Sequence, residues 1–234
     1  MTKKLWSMKQ KTVAILQSNY IPWKGYFNII KESDLFIFHD DLQYTKQDWR
    51  NRNKIKTSHG IQWLTIPCGT NEHRKICDVM IVDDGWQKTH WNNIYNAYHQ
   101  APYFRSYAPF FEQVYLHIRW HNLSALNQYV IQYLAREFLD ITTRFDDSRI
   151  YNLKENKEKR VLELLTAVHA TKYISGPAAK SYIHEDLFTK RGITIHWMNY
   201  SHYKQYPQFY PPFEHAVSII DLLFHVGPKA KDYI

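Results

Sequence analysis

Two adjacent carboxylates, Asp40-Asp41, follow the apolar run Leu35-Phe36-Ile37-Phe38-His39, and a group of cations follows them in turn. A carboxylate at a strand end can take a proton from a nucleophile or help to hold a metal. The cations are Lys46, Arg50, Arg52, Lys54 and Lys56, opposed within the stretch by Asp48, with Gln43 between them and the carboxylates. Arg50, Arg52 and Lys54 alternate, so in an extended chain they share one side, an arrangement suited to a polyphosphate or a carboxylate. Trp49 beside them can stack on a ring. Charge runs also form plain solvated faces, and the residues alone leave both readings open.

A second dense stretch is Gln17-Ser18-Asn19-Tyr20-Ile21-Pro22-Trp23-Lys24-Gly25-Tyr26-Phe27. It lies where a first strand passes into a helix, the end of an open α/β sheet at which ligands bind. Backbone N–H groups at the helix start can hold an anion, Gly25 permits close approach by a ligand or a neighbouring backbone, and Gln17 and Asn19 can orient a polar group. The alternative is an ordinary loop with a packing glycine and core aromatics. A third stretch, residues 200–213, contains His202 and Tyr206 in a loop of tyrosines and prolines that reads as a lid or wall. Asp221 follows inside the apolar run 218–226 and needs a partner, either to shape the site or to serve in it.

Other signals are weaker. His117 and His121 have the i,i+4 spacing of a chelating pair, but the metalloprotease glutamate is missing and 13 histidines make chance pairs common, so no metal is expected. Cys68 and Cys77 lack the spacing of a zinc site and are too few for a disulfide framework, so both read as reduced thiols, with a reactive Cys68 as the lesser alternative. The Gly-x-Ser-x-Gly elbow, the Walker loop and the Gly-x-Gly-x-x-Gly fingerprint are all absent.

The elements that must position these residues alternate. Strands are expected at 12–17, 35–39, 61–67, 78–82, 170–176 and 192–198, and helices at 23–31, from about 152 to 168, and at 178–188. Residues 85–145 switch to helical spacing and read as an insert or helical layer. This pattern implies an α/β fold with a mainly parallel sheet and helices on both faces, nucleotidyltransferase-like or Rossmann-like. The 234 residues suit a single domain, 1–234. Aromatics reach 16% and apolar residues 44%, which excludes a disordered chain; the apolar runs are broken, as by Asp221, or fall far short of a bilayer-crossing length, so no membrane span is expected, and the mean hydropathy of −0.54 agrees. The N-terminus lacks a signal-peptide core, so a cytoplasmic protein is expected.

Taken together, residues 17–27, the run from Asp40-Asp41-Leu42-Gln43-Tyr44 to Trp49-Arg50-Asn51-Arg52-Asn53-Lys54-Ile55, Tyr173-Ile174-Ser175-Gly176, and Ser218–Phe224 resemble the WbqC-like protein family. The resemblance covers nearly the whole chain. It implies a cytoplasmic step on an activated sugar in O-antigen or other surface-polysaccharide assembly, such as transfer of an acyl or aminoacyl group, for example glycyl, to an amino sugar. A second likeness is to nucleotidyltransferase-like folds, including pantothenate synthetase. Trp23-Lys24-Gly25-Tyr26 falls at their His-x-Gly-His signature, and the segment containing Ser175 falls near their second phosphate motif. Both imidazoles are absent, which counts against ATP-driven adenylylation and leaves ATP as the one cofactor suggested at all.

The leading expectation is thus a transferase or ligase acting on a nucleotide-linked amino sugar. Asp40 or Asp41 would be the base, and Arg50 or Arg52 would hold phosphate or developing negative charge. Substrate contacts are expected from Gln17, Asn19, Tyr20, Trp23, Gly25, Tyr26, Gln43, Lys46, Trp49, Lys54, Ser175, His202, Tyr206 and Asp221. The competing expectation is a non-catalytic binder of RNA or another polyanion, in keeping with the net charge of +8. Because the cations cluster locally, a phosphate-bearing small ligand such as a nucleotide-linked sugar is expected ahead of nucleic acid.

Overall fold

The computed structural model describes residues 10–83 and 85–234, so the expectation about a leader at the extreme N-terminus lies outside the described residues. Along the chain run β1 (Thr12–Leu16), α1 (Lys24–Lys31), β2 (Leu35–Phe38), β3 (Arg52–Thr57), β4 (Gly60–Thr65), α2 (Trp86–Tyr98), α3 (Phe104–Glu112), α4 (Leu123–Tyr133), β5 (Arg144–Asp147), α5 (Lys157–Ala167), β6 (Lys172–Ser175), α6 (Glu185–Thr189), β7 (Thr194–Trp197) and α7 (Ile219–Val226).

Five strands form one parallel sheet in the order β5-β2-β1-β6-β7. Its central strands are apolar at almost every position because both faces are covered. Side-chain alternation sends Val13, Ile15, Leu35, Ile37 and Tyr173 to one face, against Leu164 and Leu165 of α5 and Phe188 of α6. Ala14, Phe36, Phe38 and Ile174 point to the other face, where α1, α2, α3, α4 and α7 build the larger core. The chain travels outward from β1 through β2 to β5 and then returns to β6 on the other side of β1. The strand order therefore reverses between β1 and β6, and a crevice opens beyond their carboxyl ends.

Four expectations change. Residues 61–67 are extended, but β4 pairs antiparallel with β3 in a separate hairpin and does not join the main sheet. The inward residues Asn53, Ile55 and Leu64 are buried, and Arg52, Lys54 and Trp63 lie on the other side. Residues 78–82 are not a strand: a short 3-10 turn spans Ile76–Asp78, and Met80 makes one isolated bridge to Asn122. The end of the expected helical region is instead β5, whose sequence Arg-Phe-Asp-Asp shows little apolar alternation because it is an edge strand, held by parallel pairing to β2. Residues 178–188 divide into a 3-10 turn at Pro177–Ser181 and α6, with His184 extended between them. The hairpin and α2 to α4 all lie in the connection between β2 and β5.

Helix α1 starts where Pro22 and the extended Trp23 end the β1 loop. The Trp23 indole folds back over Gly25, where an added Cβ would lie 2.3 Å from a ring carbon. Gly25 thus makes room for a side chain of its own chain. A Gly25→Ala variant must displace that indole, so it should lose about 1–3 kcal/mol of unfolding free energy by denaturant titration, the usual cost of overpacking.

Candidate functional site

The crevice between β1 and β6 is a cleft of about 690 Å³. Ile15, Leu16 and Gln17 approach it from β1, His39 and Leu42 from the end of β2, and Tyr173, Ser175 and Gly176 from β6. Lys157, Glu158 and Val161 of α5 face it, together with Ala178, Ala179, Tyr182 and His184. The lining is apolar with a few polar groups, the usual make-up of a small-molecule site. Glu158 accepts hydrogen bonds from the His184 backbone N–H at 3.0 Å and pairs with Nδ1 of the same residue at 2.9 Å. These contacts hold the Glu158 carboxyl below its ordinary pKa and tie α5 to the 182–184 segment.

The two aspartates have different settings. Asp40 is fully buried. It accepts from the Ser18 backbone N–H at 2.7 Å, from the Ser124 hydroxyl of α4, and from Gln128 Nε2 at 3.0 Å. Such a carboxylate suits a positioning role. Asp41 accepts from Ser148 Oγ at 2.5 Å and from the Arg160 guanidinium. Arg160 also donates from Nε to His39 Nε2 at 3.1 Å. An arginine only donates, so His39 Nε2 is an acceptor and the ring proton sits on Nδ1. Burial pushes the His39 pKa down, with Asp41 acting in the opposite sense, and the imidazole in the cleft wall is neutral at pH 7.

The loop from β1 to α1 is clamped. Ile21, a β-branched residue, has φ of +35°, a left-handed conformation costing on the order of 1–2 kcal/mol. Its carbonyl accepts from Asn53 Nδ2 at 2.8 Å and Ser218 Oγ at 2.7 Å. Asn53 also bonds the Tyr20 carbonyl, and the Tyr20 N–H donates to the Trp49 carbonyl at 2.9 Å. The Tyr26 hydroxyl donates to the Gln17 carbonyl at 3.0 Å. The loop thereby presents Gln17 to the large cleft and Asn19 to a smaller one of about 300 Å³, lined by Asn19, Pro22, Trp23, Trp49, Asn53 and Ala216.

Gln17 and Ser175 therefore line the large cleft, and Asn19, Trp23 and Trp49 line the small one. Arg50 pairs with Asp48 at 2.7 Å and is a lining residue of neither cleft. Arg52 and Lys54 do share one side of a strand, with the Arg52 guanidinium 4.2 Å from the Trp63 ring centre and Lys54 Nζ over both Trp49 and Trp63.

Other expected contacts lie elsewhere. Tyr20 is buried, its hydroxyl 2.8 Å from His90 Nδ1 and 2.5 Å from the Tyr115 hydroxyl. Gln43 bridges to Lys75 on the surface, and Lys46 pairs with Glu72 at 3.7 Å. His202 is exposed against the Tyr203 ring. Tyr206 is buried and donates to Asp221 at 2.6 Å. Asp221, fully buried, also accepts from Tyr98 and Gln208, which makes it the anchor of the 206–208 loop. Burial pushes the Cys68 thiol up to about 12, so it is inert at neutral pH. Among the described residues no group of three His, Cys, Asp or Glu side chains is arranged to hold a metal.

Sequence reasoning missed His39, Lys157, Glu158, Arg160, Tyr182 and His184. The charge of segment 152–160 is the available signal, but taken alone such a charge run marks only a solvated helix start. Only the return of the chain to β6 turns that first helical turn toward the crevice.

The model of the WbqC-like protein family matches residues 17–233. The match spans the β1 loop, α7 and every cleft-lining residue except Ile15 and Leu16. The chain belongs to the WbqC-like protein family. It is 44% identical over 226 residues to an uncharacterized protein of Mycobacterium tuberculosis, covering 96% of this chain and 97% of that relative. No solved structure matches.

Two outcomes follow for this WbqC-like chain. Asp40→Asn removes a charged acceptor from three donors and should lower unfolding free energy by about 1.5–3 kcal/mol, read by denaturant titration. His90, between Tyr20 and the Thr65 backbone, has its pKa lowered by burial to about 4. The unfolded state binds this proton first, so the contribution is fully present above pH 6.5 and is lost as pH falls toward 4. It amounts to about 3 kcal/mol. Replacing His90 with Gln should flatten the stability profile in that window, read from urea midpoints at pH 7 and pH 4.5.

Proposed function

We propose that this WbqC-like protein is a transferase or ligase acting on a nucleotide-linked amino sugar in surface-polysaccharide biosynthesis, adding an acyl or aminoacyl group to the sugar amine. The observation that carries the reading is the position of the large cleft, beyond the carboxyl ends of β1 and β6 where the strand order reverses. Open parallel sheets bind nucleotides at that crevice. Its apolar wall from Ile15 to Ala179 suits a base and ribose, and Gln17, Ser175 and the Gly176 backbone offer polar contacts. Arg50, the neighbour of Trp49 in the chain, is the guanidinium proposed to hold the diphosphate.

In the proposed step a bond forms between the sugar nitrogen and the acyl carbon. The bond from that carbon to the leaving group of an activated acyl donor, such as a thioester, breaks, and the amine proton passes through water to the departing group, which leaves with the electron pair. The carbonyl oxygen gains negative charge in the transition state, and a fixed N–H donor nearby stabilises it. The neutral His39, with its tautomer set by Arg160, offers an Nδ1 donor to the nucleotide in the large cleft. Asp41 holds the Arg160 guanidinium that sets this tautomer, so its role here is positioning. Asp40, sealed between Ser18 and α4, holds the loop. Among the described residues no helix is long and apolar enough to cross a membrane.

The second reading, a polyanion binder, draws on the partly exposed Trp49 and Trp63 with Arg52 and Lys54 over their rings. Calorimetric titration with UDP-, GDP- and dTDP-linked hexosamines separates the two. Binding of one of them is expected, weakened about tenfold in Gln17→Ala and in Ser175→Val by the loss of a buried polar contact, with little change in Tm. No binding to any of them, alongside RNA binding that falls steeply with salt, would sink the enzyme reading in favour of the binder.

A further inference from the structure

The small cleft has a feature that the large one lacks. Among the described residues the Asn19 side chain makes no hydrogen bond, and its amide oxygen is buried without a partner. The neighbouring Asn53 amide is fully used, donating to the Tyr20 and Ile21 carbonyls and accepting from the Lys54 N–H. An unpaired amide costs free energy unless something else completes it. Terminal amide torsions are broad, so a modest turn of Asn19 aims either end into the cleft.

Trp49, 40% exposed, lines the same cleft. Trp63 lies 5.5 Å away, centre to centre, and Lys54 Nζ sits over both rings. The indole is thus a fixed aromatic face beside a free amide. The C–H face of a pyranose ring packs on such a surface, and its hydroxyls both donate and accept as an amide requires. The volume of about 300 Å³ is at the small end for ligand sites, which suits one ring and not a nucleoside with its phosphates. Gln17 and Asn19 are two positions apart, so the clefts open on either side of one loop within about 7 Å of backbone.

We infer that the small cleft is a sugar subsite, in which a single pyranose ring stacks on Trp49 and bonds through its hydroxyls to the Asn19 amide. Trp63 and Lys54 position the indole. The inference deepens the nucleotide-sugar reading and rests on it only for what occupies the large cleft. With base and ribose there, the diphosphate crosses the clamped loop near Arg50 and the sugar enters the small cleft.

Saturation-transfer difference NMR with glucosamine 1-phosphate tests the subsite without a nucleotide. Wild-type protein should transfer magnetisation to the ring C–H protons of the sugar. Trp49→Ala and Asn19→Ala should each abolish that transfer, and Lys190→Ala, exposed and outside both clefts, should keep it. Far-UV circular dichroism checks that each variant folds, and Trp63→Ala, leaving Trp49 in place but unsupported, should weaken the signal without removing it. No transfer in wild type, or equal transfer in the Trp49 and Asn19 variants, overturns the subsite. A sugar signal that behaves as expected in a protein that binds no nucleotide-linked hexosamine supports the subsite and overturns the nucleotide reading alone.

Discussion

A carboxylate removed from water must find protein donors, and Asp40 finds three of them on two separate parts of the chain. It lies just past β2, takes the Ser18 N–H just past β1, and takes Ser124 and Gln128 from α4. Gln128 donates as well to Asp147 at the end of β5. One buried charge therefore ties the carboxyl ends of three neighbouring strands to the helical insert. Parallel pairing aligns the strands, but it does not determine where the insert sits on them; the Asp40 contacts do. The crevice walls inherit that geometry, since Gln17 precedes Ser18 and His39 precedes Asp40.

The β1 loop carries the consequence. Ile21 is held in a conformation its β-branch disfavours, and the donors that hold it, Asn53 and Ser218, come from the hairpin and from the start of α7. Strain of this kind persists only where surrounding contacts over-determine it. Underneath, Asp221 gathers the hydroxyls of Tyr98 and Tyr206 and the Gln208 amide, while Lys24 and Lys56 add positive charge. Burial lowers Lys24 to about 8, with the Asp221 charge opposing the fall, and the amine lies over the rings of Tyr203, Tyr206 and Phe213. The 200–213 segment is in this way a wall fastened to α1 and α7.

Much of this architecture is legible in residue order. The runs at 12–17, 35–39 and 170–176 read as strands because a strand buried on both faces must be apolar throughout, and the helix at 23–31 announces itself through Pro22 and its apolar spacing. β5 did not, since an edge strand with Asp146 and Asp147 is defined by its partner and not by its own residues. Of the candidate site, Gln17, Asn19, Trp49 and Ser175 were legible as polar or aromatic groups at strand ends and loop starts. Asp40 was legible as important, though not in kind: the same carboxylate reads as a base in a row of letters and as an anchor once its donors are counted.

The amino-acid order by itself determined the alternation of strands and helices, the local crowding of cations at residues 46–56, and the polar loop after the first strand, all of which depend on spacing over a few residues. Tertiary structure decided which of those groups meet. It buried Asp40 and Asp221, enclosed Tyr20 between His90 and Tyr115, filled the space at Gly25 with an indole, and brought Lys157, Glu158 and His184 to a cleft with Gln17. The reason is that burial and hydrogen-bond partnership are properties of distant pairs. Residues 17, 39, 158 and 175 become neighbours only because the sheet reverses its order beside β1.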